Sequence, residues 1–188
     1  MDVLNLSCIG LALVLVIAFV LLGVVLIYNR LITLRNRVRN AWAQIDVQLK
    51  RRYDLIPNLI ETVKGYMKHE RETLTEITKY RAQLVTGSVG ERAKADTMLT
   101  QALKSLFAVA ENYPNLKANE NFKLLQEELA GTENKIAYIR TAYNDAVYEF
   151  NTACDVFPSN IIAGLFGFKH EQFFEAAGAE REAVKVKF

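Results

Sequence analysis

From Val3 to Asn29 the chain carries no charged residue, and the 20 positions Ile9–Tyr28 are almost wholly Leu, Val, Ile, Ala and Phe. A helix of this length, rising ~1.5 Å per residue, matches the ~30 Å hydrocarbon core of a bilayer and satisfies its own backbone polar groups there. Ile9, Leu15, Phe19, Val24 and Tyr28 are therefore expected inside the membrane. A cleaved signal peptide has a basic start, a shorter apolar core and a small-residue exit. Met1-Asp2 and the stretch Gly23–Arg30 do not fit that pattern. Cys8 lacks the basic and apolar residues that precede a lipid-anchored cysteine, and reads as a small apolar residue near the bilayer edge.

Beyond Asn29 the pattern becomes a stripe. Ile27, Leu31, Leu34, Val38, Trp42, Ile45, Leu49, Tyr53, Ile56, Ile60, Val63 and Met67 follow at steps of 3 or 4, and position 27 maps onto 38, 49 and 60. An 11-residue repeat averages about 3.67 residues per turn, close to a straight α-helix. Pro57 deprives the carbonyl near position 53 of its helical donor, so a side chain or water must serve that carbonyl. Gly65 is a second weak point. Leu74, Ile77 and Leu84 extend the stripe to about residue 85, where Thr86-Gly87-Ser88-Val89-Gly90 ends it.

A second helix is expected over 91–111, with Leu99, Leu103, Leu106 and Ala110 on one face and Asn112-Tyr113-Pro114-Asn115 closing it. The third starts near Asn119, a good N-cap. It carries one heptad series, Phe122, Leu129, Ile136, Tyr143 and Phe150, and a second, Leu125, Thr132, Ile139, Ala146 and Ala153. Pro158 ends it, because the residue before a proline disfavours helix. Nothing alternates with period 2. The fold class is thus all-α: an N-terminal transmembrane helix (1–29), then an elongated antiparallel bundle of three long helices (30–157), then a short C-terminal helical segment and tail (158–188).

The lengths do not match. A first helix of about 55 residues reaches about 80 Å, whereas about 21 residues of second helix return only about 30 Å. Either the first helix breaks near Pro57 or Gly65, or its membrane-proximal part stands free. A free stripe exposes Trp42 and predicts self-association, since large apolar patches mark interfaces. A fourth helix folded back over the stripe is the competing explanation.

Charge sets topology rather than fold. Net charge is only +2, and no Lys or Arg precedes the apolar run. Arg30, Arg35, Arg37 and Arg39 follow it closely, which predicts the N-terminus outside and the bundle in the cytoplasm of a single-pass inner-membrane protein. Residues 30–52 hold seven basic residues and one acid, Asp46. They serve either as a topology signal alone or also as a contact to anionic head groups. Their place at the bilayer, with no accompanying motif, argues against nucleic-acid binding.

Candidate chemistry is sparse. His69 is followed by Glu70, but position 73 is Thr where a zincin needs its second His. His170 has no other ligand nearby and reads as a surface residue, and Cys154 reads as a buried structural thiol. No catalytic residue, metal site or cofactor is expected. The polar run Gln44, Asp46, Gln48, Lys50, Arg51, Arg52, Asp54 and Asn58 is either a solvated face or a register-fixing network with Arg140, Asn144 and Asn151 across the bundle. The block Ile161–Phe168, followed by Phe173-Phe174, is too short to span a bilayer. It either packs over a bundle end or docks on another subunit, a partner or the membrane surface. Trp42, Asp54, Pro57, Phe157, Phe166 and Phe168 are the candidate interface residues.

Five stretches resemble the LemA family of bacterial membrane proteins: Tyr28-Asn29, Trp42–Tyr66, Tyr113–Ala118, Phe157–Phe168 and the ending Val184–Phe188. The resemblance covers almost the whole chain. It implies a single-pass membrane protein with a helical cytoplasmic domain, no established enzymatic activity, and gene neighbourhoods shared with membrane metalloproteases and small membrane proteins. Taken with the pattern, it leads to the expectation of a non-enzymatic scaffold, anchored in the lipid bilayer and forming homo-oligomers. The alternative is an adaptor or regulator of a membrane protease or envelope-stress system, with a membrane protein as partner.

Overall fold

A computed structural model of the chain describes residues 2–67 and 71–175, with side chains from Gly10 onward. His69, Glu70, the ending Val184–Phe188 and the side chains of Cys8 and Ile9 lie outside the described residues. Among the described residues there is no strand, and the helices are α1 (Asp2–Lys64), α2 (Arg71–Gln83), α3 (Val89–Ala110), α4 (Pro114–Ala118), α5 (Glu120–Asp155) and α6 (Ser159–Leu165). The all-α class expected from the pattern is the one observed.

Two boundaries decide the architecture. Pro57 lies exposed inside α1 and does not end it. The orphan carbonyl of Tyr53 instead accepts the Nε–H of Arg81 at 2.8 Å, and the guanidinium lies 3.7 Å from the centre of the Tyr53 ring. The break comes at Gly65: α1 stops at Lys64, and the N–H groups of Tyr66 and Met67 both donate to the Val63 carbonyl at 2.9 Å. The length mismatch allowed a break near Pro57 or Gly65; it falls at Gly65, so the stripe to about residue 85 is carried by two helices, not one. Ile77 and Leu84 are buried, but they belong to α2 and its exit, which pack on α3. A capping box at Ser88 and Glu91 starts α3, with Gly87 at φ 94° in the turn before it. Asn119 caps α5 through its Oδ1, which accepts the Phe122 N–H at 3.0 Å.

The chain divides into two units, formed by the described parts of residues 1–39 with 146–171 and of 40–145 with 172–188. In the first, Leu31, Leu34 and Val38 of α1, Phe150, Ala153 and Cys154 of α5, and Ile162 and Ala163 of α6 are buried. The α1 residues from Leu11 to Leu26 expose most of their large apolar side chains, and α1 holds an apolar stretch long enough to cross a membrane. In the second, Ile45, Leu49, Ile56, Leu59 and Val63 of α1 form the core with Leu99, Leu103 and Leu106 of α3 and Phe122, Leu129 and Ile136 of α5.

The first heptad series of α5 is buried at all of its positions, from Phe122 to Phe150. That accounts for the length mismatch. At 36 residues α5 is about 54 Å long, where α3 with 22 is about 33 Å. The expected free stripe is corrected on the same ground. Leu31, Leu34, Val38, Ile45 and Leu49 are buried within the chain's own fold, and among the described residues no fourth long helix covers them.

Candidate functional site

The second unit buries charge. Arg52 is 0% exposed. Its Nη1 donates to Asp96 Oδ1 at 2.5 Å, its Nη2 donates to Thr100 Oγ1 at 2.9 Å, and Glu133 lies 3.7 Å away. Lys104 pairs with the other Glu133 oxygen at 3.7 Å. Burial pushes the Asp96 carboxyl above its usual value, while the charges of Arg52 and Arg140 pull it back. A charge taken out of water is tolerated only when paired and hydrogen-bonded, and a planar guanidinium fixes the direction of both bonds. The cluster therefore locks α1 against α3 and α5 in one register.

A second arginine extends the cluster along α3. Arg92 donates through Nε to the Leu84 carbonyl at 2.6 Å and through Nη2 to Asp46, and its guanidinium sits 4.8 Å from the centre of the Trp42 ring. Trp42 also meets Tyr143 at 5.6 Å and Phe174 at 6.0 Å between centroids. It is not an exposed stalk residue, as the stripe alone suggests, but half-buried within its own unit.

The polar run on α1 thus splits. Arg52 turns inward, Asp46 stays half-exposed while accepting from Arg92, and Arg51 pairs with Glu128 of α5. Asp54 and Pro57 stay exposed, and neither joins the buried cluster. Asn144 bonds to Phe174 and not to the α1 residues, which the network alternative would have paired with it. Its Oδ1 accepts the Phe174 N–H at 2.9 Å, and its amide donates to the Phe174 carbonyl at 3.3 Å. In the first unit Asn151 holds Glu171 in the same way, at 2.9 and 3.0 Å.

The residues on α3 escaped sequence reading. Arg92, Asp96 and Thr100 recur at i, i+4 and i+8 beside the apolar stripe, and that spacing was the available signal.

The juxtamembrane candidates sit in the first unit. Arg30 and Arg39 are exposed, Arg37 pairs with Glu149 at 3.5 Å, and the Arg35 guanidinium lies 5.1 Å from the Phe168 ring centre. Phe168 also packs on Tyr28 at 5.9 Å and Phe150 at 6.3 Å, and Phe166 meets Tyr28 at 4.7 Å. Phe157 remains exposed. Of the residues expected inside the membrane, Leu15 and Phe19 are exposed, and Val24 and Tyr28 half-buried. His170 pairs with Asp155 at 2.9 Å on the surface.

Similarity to known proteins runs along most of this framework. The model of the LemA family matches residues 41–188. Protein LemA of Metamycoplasma hominis is 27% identical over 158 residues, covering 83% of this chain and 72% of that protein. Magnetosome protein MamQ 2 of Paramagnetospirillum magneticum is 23% identical over 175 residues, covering 79% of this chain and 64% of its own length. Magnetosome protein MamQ of Magnetospirillum gryphiswaldense is 22% identical over 174 residues and likewise extends beyond the match, with 64% covered. With most of its length matched by the family model, the chain belongs to the LemA family.

Proposed function

We propose that this protein is a non-enzymatic, membrane-anchored helical scaffold of the bacterial inner membrane. Its N-terminus lies outside, and residues from Arg30 onward lie in the cytoplasm. The observation that carries the reading is helix α1 (Asp2–Lys64), on which the apolar run and the buried Arg52 are part of one element. The four arginines that follow the run, Arg30, Arg35, Arg37 and Arg39, support the orientation. Residues 1–29 act as anchor, 30–157 as the working bundle, and 158–188 as an accessory segment.

The charges buried in the second unit are engaged with one another, which supports a structural rather than a chemical role for them. The names of the relatives specify no reaction. Self-association of the helical domain cannot use the α1 stripe, which the fold already covers. It would draw instead on large apolar side chains left exposed outside the span, such as Val47, Leu124 and Tyr138.

Crosslinking in native membranes, followed by sizing of the detergent-extracted protein, tests this. A large homo-assembly supports the scaffold. A small species that carries a second membrane protein with it supports an adaptor instead, and a monomer with nothing bound removes both.

A further inference from the structure

We propose that the segment from Phe157 to Phe166 is a second membrane contact, a short amphipathic wedge lying in the lipid–water interface beside the end of the span. It rests on the reading of α1 as a membrane anchor.

Three observations converge on it. The outer face of the segment is apolar and uncovered, with Phe157 79%, Ile161 59%, Leu165 75% and Phe166 52% exposed. Its inner face is already used, because Ile162 and Ala163 are buried in the first unit. No residue from Val156 to Phe168 is charged. A soluble surface rarely leaves several large side chains together in water, so this face has an occupant.

The position of the wedge identifies that occupant. Tyr28 closes the apolar run of α1, where aromatic residues mark the boundary between hydrocarbon and head groups. Phe166 packs on Tyr28 at 4.7 Å, which places the exposed face of α6 at the same depth. Arg30 follows Tyr28 by two residues and is exposed, a cationic group at that level suited to lipid phosphates, while Arg35 lies about 10 Å further along α1, against Phe168. A seven-residue helix cannot cross a bilayer but can lie about 5–10 Å into the boundary between head groups and acyl chains. A protein partner seated on this face would have to displace lipid from around the exit of the span.

Trp42 is the single tryptophan of the chain, which makes its fluorescence a fixed baseline. The full chain, reconstituted in phosphatidylcholine–phosphatidylglycerol vesicles, is compared with its Leu165→Trp, Phe157→Trp and Phe19→Trp variants. The lipids are brominated either near the head group or near the acyl end. Both wedge positions are exposed, so a larger ring there leaves the core untouched. The added emission of Leu165→Trp and Phe157→Trp is expected to be blue-shifted and lost mainly with shallow bromines, and that of Phe19→Trp mainly with deep ones. If Phe19→Trp is quenched and the two wedge variants are not, the wedge is refuted while the anchor stands. If none is quenched, both readings fall. A blue shift without quenching means that protein covers the face, which also refutes the lipid contact.

Discussion

The Nε–H of Arg81 donates to the main-chain carbonyl of Tyr53 at 2.8 Å, at the turn of α1 where Pro57 can offer no N–H. A proline inside a helix usually costs about 3 kcal/mol through the lost bond and the ring clash. Here α2 folds back after Gly65 and returns a charged donor to the gap, with the guanidinium stacked on the Tyr53 ring. The helix keeps its course because a distant residue completes it.

Arg81→Met leaves that carbonyl without its donor and removes the stacked cation. The expected loss is about 1–3 kcal/mol, read as a lower unfolding midpoint of the full chain in detergent micelles. In a Pro57→Ala background the N–H of residue 57 restores the helical bond, and the same Arg81 change costs measurably less. Strictly additive effects of the two substitutions would show that Arg81 does not serve this carbonyl.

The pairing of Arg52 with Asp96 predicts a different pattern. Removing either partner alone strands a buried charge and is expected to cost about 3–5 kcal/mol. Replacing both, as Arg52→Met with Asp96→Leu, fills the site with apolar volume and recovers most of the loss. Denaturant midpoints of the three variants check this, and a double variant as unstable as the singles would contradict it.

The same carboxyl gives a pH signature. Burial raises Asp96 above the ordinary carboxylate value of 3.8, so the folded chain holds its proton more tightly than the unfolded one. The stability linked to this group is fully present below that ordinary value and is lost as pH rises through the raised one. The advantage of the native chain over Asp96→Asn therefore widens as pH falls from neutral towards that value. A narrowing would mean that Arg52 outweighs burial.

Much of this fold was legible along the chain because helical burial is periodic. The heptad from Phe122 to Phe150 and the stripe from Leu31 to Val63 read directly onto buried faces. The need for a donor at Tyr53 was also legible, since it follows from Pro57 alone. Its identity was not, because Arg81 reaches Tyr53 only after the reversal at Gly65, which is a tertiary event. Arg52 sits between Arg51 and Tyr53 in a run that looks solvated, and Asp96 and Thr100 on α3, with Glu133 on α5, draw it inward. Asn144 and Asn151 stood out as polar residues on α5, but their partners are main-chain groups of an extended segment that carries no periodic signal.

Those two asparagines make a local prediction. Each accepts one main-chain N–H and donates to the carbonyl of the same residue, so the segment from Glu171 to Phe174 is held through its backbone. Asn151→Ala should speed amide exchange at Glu171, and Asn144→Ala at Phe174. Each bond has a net worth of about 1 kcal/mol, or roughly fivefold in protection. Exchange rates measured residue by residue that stay unchanged would show that side-chain packing, not the amide clamp, holds the segment.

Cys154 tests the first unit from within. Its thiol is buried, and burial together with the neighbouring Asp155 carboxylate pushes it above the free value of 9.0. The thiolate is the reactive form, so the folded chain should resist a disulfide reagent near neutral pH and react fully once unfolded. Because the folded chain favours the protonated thiol, the stability linked to it is complete below 9.0 and is lost as pH rises through the raised value. A Cys8→Ser background leaves Cys154 as the sole thiol of the chain. Comparing reaction rates in micelles with and without denaturant isolates it. Rapid modification of the folded chain would mean that α5 and α6 open readily around Cys154. Within the first unit, α5 and α6 would then be a loose cover on α1 rather than a packed one.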